Sequence, residues 1–128
     1  MKIYSADLVS RLARGEPIAV AIDTSLVIRQ RFQFDRGLLS VLGQFAATNI
    51  QILIVDVVLR EIRSHHLDAV EGAALQLRRA VKSSQDLGLL DKASSDALDS
   101  VEGMDLTDFS SSMEEDYLQS IGAEILES

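Results

Sequence analysis

Two acidic residues, Asp23 and Glu61, are the side chains of this sequence that are best placed to bind a ligand or take part in catalysis. Asp23 ends the apolar run of residues 18–22 and is followed by two hydroxyl side chains, Thr24 and Ser25. An aspartate that follows a buried parallel strand lies at the sheet edge where open α/β sheets bind their ligands. Such a carboxylate is partly desolvated, so a cation, a hydrogen-bond donor or a proton must stabilise it. The Asp-Thr-Ser turn is therefore the candidate site.

Glu61 falls in the second turn of a helix that follows the next apolar run, residues 51–55. If the two strands are parallel, Asp23 and Glu61 face each other at one sheet edge. Facing carboxylates repel unless a divalent cation lies between them, and hard oxygen donors without thiolates select Mg²⁺ or Mn²⁺. Such ions bind phosphate oxygens and activate water for in-line displacement. Thr24 and Ser25 are then candidates for further contacts around the ion.

Each acid also has a purely structural alternative. Asp23 can cap the turn that follows it, and Glu61 can pair with Arg60 or with His65, four residues further along the same helical face. His65 is also a candidate metal ligand or phosphate contact. These alternatives stay open on the residues alone.

A polar loop follows the candidate turn and carries both arginines and aromatic rings. Arg29, Arg31 and Arg36 can contact phosphates while Phe32 and Phe34 stack on bases, as in proteins that bind single-stranded RNA. The alternative is an ordinary surface loop whose phenylalanines anchor in the core.

Along the sequence, apolar runs typical of strands alternate with segments whose apolar residues have helical spacing, and these elements must position the candidate residues. Such alternation predicts an α/β fold with a short parallel sheet, and the unbroken run at residues 18–22 predicts a first strand buried on both faces. Asp56 is expected to cap a long helix from Val57 to about Lys82. The predicted stripe on that helix is Val58, Ile62, Ala69, Ala73, Leu77 and Ala80. The remaining predicted elements are helices over residues 5–14, 37–48 and 107–120, one or two short helices within 83–112, and a third strand over 123–126.

Composition bounds the class of protein. A chain of 128 residues with 47% hydrophobic residues suits one globular domain, and the absence of cysteine excludes disulfides and thiolate metal sites. No apolar run is long enough to span a bilayer and the N-terminal stretch does not resemble a signal peptide, so we expect a cytoplasmic protein that does not bind membranes. Residues 83–128 hold 12 acidic residues against one lysine, which argues against a nucleic-acid interface over the whole surface.

Two segments, residues 22–25 and 53–62, resemble the first half of a PIN domain. That family's opening strand ends in Asp-Thr-Asn or Asp-Thr-Ser, and its second acid lies in a pattern close to Val-x-x-Glu-Leu, matched here by Val58 to Ile62. The resemblance covers residues 18–82 and extends more loosely to the end. It implies a Rossmann-like three-layer fold and a ribonuclease, with Asp23 and Glu61 as catalytic residues that hold Mg²⁺ or Mn²⁺. Residues 29–39 look like the PIN-like domains found in larger bacterial proteins.

A full PIN domain carries one or two further acids after its third strand, whereas this sequence stops at Ser128. We therefore expect a single PIN-like domain over residues 1–128 that is a fragment or a shortened form with an incomplete site. Its exposed sheet would be covered in a homodimer or by the remainder of a longer chain. A non-catalytic interaction module, whose acidic C-terminal third docks on a basic partner or covers a neighbour's sheet, is the alternative. Residues 60–65 also resemble the Arg-x-x-x-x-His signature of the all-helical HEPN ribonucleases, which the two strands disfavour.

Overall fold

The computed structural model describes residues 5–128 and shows a mixed α/β architecture, a three-stranded parallel sheet flanked by helices. In chain order the elements are α1 (Ser5–Ala13), β1 (Ile18–Ala21), α2 (Thr24–Arg29), α3 (Gly37–Val41), a short 3₁₀ helix (Leu42–Phe45), β2 (Ile50–Val55), α4 (Asp56–Asp86), α5 (Lys92–Glu102), α6 (Leu106–Ser120) and β3 (Glu124–Leu126).

The sheet has the strand order β1-β2-β3, with β2 in the centre and both neighbours parallel to it. Ala21 pairs with Leu53 near the end of β1, and Val55 pairs with Leu126 at the end of β3. All three carboxyl ends therefore lie at one edge of the sheet, as predicted. We call this the carboxyl edge.

The described chain forms two compact units. The first comprises residues 5–62 and 113–128 and holds the sheet, and the second comprises residues 63–112. The core of the first unit is centred on β2, where Ile52 and Ile54 are each 1% exposed. Burying each such side chain contributes about 1.5–3 kcal/mol, so β2 is the main hydrophobic support of the sheet. Of the described helices, none is long and apolar enough to cross a membrane.

β1 is not buried on both faces, and that prediction was wrong. Ala19, Val20 and Ala21 are all exposed, with Val20 at 42%, and burial begins at Ile22 just after the strand. The reason is position in the sheet, because β1 lies at an edge and β2 in the centre. An uninterrupted apolar run does not distinguish these two positions.

α4 and the segment after β1 also differ from prediction. α4 begins at Asp56 itself and ends at Asp86, and its buried residues are Leu59, Ile62, His66 and Val81, while Ala69, Ala73, Leu77 and Ala80 of the predicted stripe are exposed. Apolar residues at both 58 and 59 allow two stripes, and packing selects the one through Leu59.

Thr24 and Ser25 open the helix α2 rather than a turn. The predicted helix over 37–48 is replaced by α3 and the 3₁₀ helix.

The C-terminal third follows the prediction closely. α5 supplies a short helix within residues 83–112, α6 runs to Ser120, and β3 lies within the predicted 123–126. Gly122 has φ +62°, so it adopts the left-handed conformation that ends α6 before β3.

Tyr117 connects α6 to the core of the first unit. Its hydroxyl donates to the backbone oxygen of Leu39 at 2.8 Å, and its ring lies 4.7 Å from that of Phe34 between centroids. Tyr117 is 6% exposed, and burial raises the pKa of its hydroxyl to about 12. The buried Tyr117 side chain therefore disfavours the phenolate while the chain is folded.

Replacing Tyr117 tests this contact. Tyr117→Phe should lower the free energy of unfolding at neutral pH by about 1 kcal/mol, because the Leu39 carbonyl loses its donor. In the wild type, unfolding releases the Tyr117 proton above the ordinary pKa of 10.0, so stability should fall as the pH rises from 10.0 to about 12. Denaturant titrations across this range should show that fall in the wild type and a smaller one in Tyr117→Phe. Equal pH dependence in both proteins would contradict the assignment.

Candidate functional site

The candidate site lies at the carboxyl edge, where β1 passes into α2. Asp23 occupies the N-cap position of α2 with extended backbone angles (φ −103°, ψ 149°), and its side chain is exposed. Thr24, the first residue of the helix, is 8% exposed. The sheet and this short helix thus place an exposed carboxylate beside a buried hydroxyl.

One hydrogen bond brings Glu61 to this turn. The Thr24 Oγ1 hydroxyl donates to Glu61 Oε2 at 2.8 Å, across 37 positions of sequence. Glu61 lies in the second turn of α4, which begins directly after β2. Because Thr24 is bonded to Asp23 in the chain, both acids lie at the carboxyl edge with one hydroxyl residue between them.

Both carboxylates keep an oxygen available for a ligand. Ser25 Oγ donates to Asp23 Oδ2 at 2.6 Å, just as Thr24 donates to Glu61. In the described part of the chain, Asp23 Oδ1 and Glu61 Oε1 accept no hydrogen bond. The two hydroxyls therefore fix one side of each carboxylate and leave the other side free.

Asp23 does not use its carboxylate to cap a helix, unlike other aspartates of this chain. Its side chain accepts no backbone N–H of α2. Asp91, by contrast, accepts the N–H of Ser94 at the start of α5 at 2.7 Å, and Asp105 accepts those of Thr107 and Asp108 at 3.0 and 3.1 Å. The capping alternative thus does not account for the Asp23 side chain.

The pairing alternative for Glu61 is not observed either. Within residues 5–128, neither Arg60 nor His65 forms an ion pair with Glu61, whose side-chain hydrogen bond goes to Thr24. His65 is exposed and belongs to the second unit. The structure thus brings Thr24, Ser25, Asp23 and Glu61 together and gives no contact that adds His65 to them.

Asp56, at the end of β2, has a structural role. Its Oδ1 accepts the N–H of Val57 at 2.7 Å and that of Ser128 at 3.2 Å, so it connects the start of α4 to the chain after β3. Hydrogen bonding from Ser128, followed by that from Val57, holds the pKa of Asp56 below its ordinary value.

A further acid at this edge, Glu127, was not predicted from the sequence. It directly follows β3 and is exposed.

The donor set at this edge suits a hard divalent cation. No group of three or more acidic or histidine side chains that could hold a metal occurs within the described residues. Mg²⁺ nevertheless needs only one or two carboxylates, because it keeps several water ligands and binds substrate phosphates. Asp23 and Glu61, each with one free oxygen, fit that requirement.

The basic loop after α2 is anchored by its aromatic rings. Phe34 is 9% exposed and packs against Tyr117, while Phe32 is partly buried against the core. The rings are therefore not free to stack on bases. Arg29 and Arg31 are exposed, and Arg29 is the last residue of α2 rather than part of the loop.

Two buried residues with ionisable side chains were not predicted. His66 and Glu114 are each 3% exposed. Glu114 lies on a buried stripe of α6 with Ser110 and Tyr117, which continues to Ile121 just after the helix, and the spacing of four, three and four residues is helical. That spacing would have found Glu114, but a glutamate is rarely assigned to a buried face.

Comparisons of this chain with protein-family models, with curated proteins and with solved structures give no match. The site must therefore be interpreted from its own geometry.

Removing the Thr24 hydroxyl tests the contact that positions Glu61. Thr24→Val keeps the shape of the side chain and removes the donor, so it should lower the free energy of unfolding by about 1 kcal/mol. Thr24→Ser retains a hydroxyl and should lose less. Denaturant unfolding of the three proteins measures both effects, and a Thr24→Val variant as stable as the wild type would show that the contact contributes nothing.

Proposed function

We propose that this chain is a PIN-like domain of a metal-dependent ribonuclease, with Asp23 and Glu61 as its metal ligands. The observation that carries the proposal is the hydrogen bond from Thr24 to Glu61, which gathers two distant acids at the carboxyl edge. In the described structure, neither the Asp23 nor the Glu61 side chain caps a helix or forms an ion pair, so neither has a structural role that would explain its position. The motif resemblance at residues 22–25 and 53–62 supports RNA as the substrate.

Each residue of the site has a distinct task under this proposal. Asp23 and Glu61 hold the ion through their free oxygens, while Ser25 and Thr24 orient the two carboxylates from the other side. When bound, Mg²⁺ or Mn²⁺ supplies an activated water and neutralises charge on the scissile phosphate. A site with two acids binds the ion weakly until a substrate phosphate adds further oxygens.

A non-catalytic interaction module is the second candidate, and the charge distribution favours it. The exposed acids of α5 and α6 form no ion pair within the described residues; they include Asp96, Asp99, Glu102, Asp108, Glu115 and Asp116. Exposed acids without a partner of opposite charge attract a basic partner. This candidate requires no cation at the carboxyl edge.

A thermal-shift measurement with Mn²⁺ separates the two candidates. At ten times the dissociation constant, Mn²⁺ should raise the melting temperature of the wild type by about 5 °C, because it binds only the folded chain. Asp23→Asn and Glu61→Gln should each lose this rise, since each removes a charged ligand. Cleavage of a labelled single-stranded RNA should fall by about 100-fold or more in both variants.

Glu16→Gln is the matched control, because Glu16 is an exposed acid at the opposite edge, before β1. It should retain both the Mn²⁺ shift and RNA cleavage. Full cleavage by both Asp23→Asn and Glu61→Gln would exclude the ribonuclease assignment, and a wild type that Mn²⁺ does not stabilise would favour the interaction module.

A further inference from the structure

α2 ends in a Schellman motif whose central position is occupied by an arginine. Arg31 N–H donates to the carbonyl of Ile28 at 2.9 Å, and Phe32 N–H donates to that of Val27 at 3.1 Å. These are the two hydrogen bonds that define the motif, and they require a left-handed residue at the position of Arg31. Arg31 has φ +55° and Phe32 has φ +56°, so two consecutive side chains adopt a conformation that favours glycine.

The same motif ends three other helices of the described chain, and each of those has glycine at the central position. The hydrogen-bond pattern recurs after α1, α4 and α6, and the left-handed residues there are Gly15, Gly88 and Gly122, with φ of 72°, 72° and 62°. This chain thus ends those helices with the residue that suits the geometry. Arg31, eight residues after Asp23, is the exception and is destabilising as a helix terminus.

Two features of Arg31 indicate a function that offsets the stability lost by placing an arginine in the left-handed position. Its guanidinium is exposed and forms no hydrogen bond or ion pair within residues 5–128, unlike Arg36, which lies 3.4 Å from Asp35. Its backbone is fixed from both sides, by the hydrogen bonds to α2 and by Phe32, which packs against the core. The turn therefore holds the backbone of Arg31 in place and presents its unpaired guanidinium to solvent.

The position of this cation relates it to the candidate site. α2 begins at Thr24 and has six residues, so the backbone of Arg31 lies about 10 Å from that of Asp23 along the helix axis. A strand of RNA bound at Asp23 and Glu61 extends over such a distance within a few nucleotides. Guanidinium groups bind phosphate oxygens in bidentate geometry, which a lysine cannot reproduce.

We infer that Arg31 is a substrate-binding residue that contacts a backbone phosphate of single-stranded RNA beside the candidate metal site. This inference rests on the proposed function, because it takes RNA as the ligand. It adds that the strained turn is retained to hold one phosphate contact in place, at the expense of stability. Binding at Arg31 is independent of base identity, since it involves the phosphate alone.

Arg31→Gly separates binding from stability. Glycine suits the left-handed position, so the melting temperature should stay equal to the wild type or rise, by about 3 °C if the strain is fully released. Binding of a fluorescent single-stranded oligoribonucleotide, followed by anisotropy in EDTA and again with Mn²⁺, should weaken about tenfold. The slope of log affinity against log salt should become shallower by about one phosphate contact.

Two further variants serve as matched controls. Gly88→Arg places an arginine in the same turn at the end of α4, where a new Cβ meets no atom within 4 Å, so it should lower the melting temperature through strain alone. Arg14→Ala removes one positive charge at the opposite edge, before β1, and should weaken RNA binding less than Arg31→Gly does.

The outcomes distinguish this inference from the proposed function. If the wild type binds RNA and Arg31→Gly binds equally well, or if Arg31→Gly is less stable than the wild type, Arg31 has no such role while the ribonuclease assignment stands. If the wild type binds no RNA with or without Mn²⁺, the ribonuclease assignment fails and this inference fails with it.

Discussion

The parallel pairing of β1 with β2 is the constraint on which the site depends. It aligns Ala21 with Leu53, so the residues that follow both strands emerge at one edge. A hydrogen bond between Thr24 and Glu61 is possible only in this arrangement, because an antiparallel pair would send the two chain segments to opposite ends. The buried Ile52 and Ile54 hold β2 in place, and through it they hold the alignment.

The polar side chains at the ends of the helices and strands form two groups. One group bonds to the backbone of this chain, and the other is available to bind a ligand. Asp56, Asp91 and Asp105 each accept backbone N–H groups and thereby fix a chain segment. The Asp23 carboxylate accepts only the hydrogen bond from the Ser25 hydroxyl, and the Arg31 guanidinium donates no hydrogen bond within the described residues. Both available groups lie at the two ends of α2, so this short helix connects the proposed metal site to the proposed phosphate contact.

Local sequence patterns predict most of the helices and strands of this fold, but they do not predict which strand is buried. The apolar run of β2, the helical spacing of α6 and the glycine at 122 each identified an element correctly, because each acts within a few residues. β1 has the same kind of apolar run as β2, yet it is an exposed edge strand. The difference lies in strand order, which depends on contacts far apart in sequence, and no local pattern contains it.

The site was predictable in part for the same reason. The apolar runs before Asp23 and before the helix of Glu61 identified both acids as candidates, and the expected parallel strands placed them at one edge. The Thr24 hydrogen bond, the absence of capping by Asp23 and the Schellman motif at Arg31 required coordinates, because each depends on backbone angles that residue types do not fix. His65 has suitable spacing from Glu61, yet the two form no ion pair among the described residues.

Paramagnetic broadening by Mn²⁺ tests the central claim most directly, because it locates the ion without requiring activity. In amide NMR spectra with substoichiometric Mn²⁺, the signals of Thr24, Ser25 and Glu61 should broaden first, while those of Ile18 and Asn49 at the opposite edge persist. Broadening that begins at the acids of α5 and α6, or that affects all signals equally, would contradict a metal site between Asp23 and Glu61.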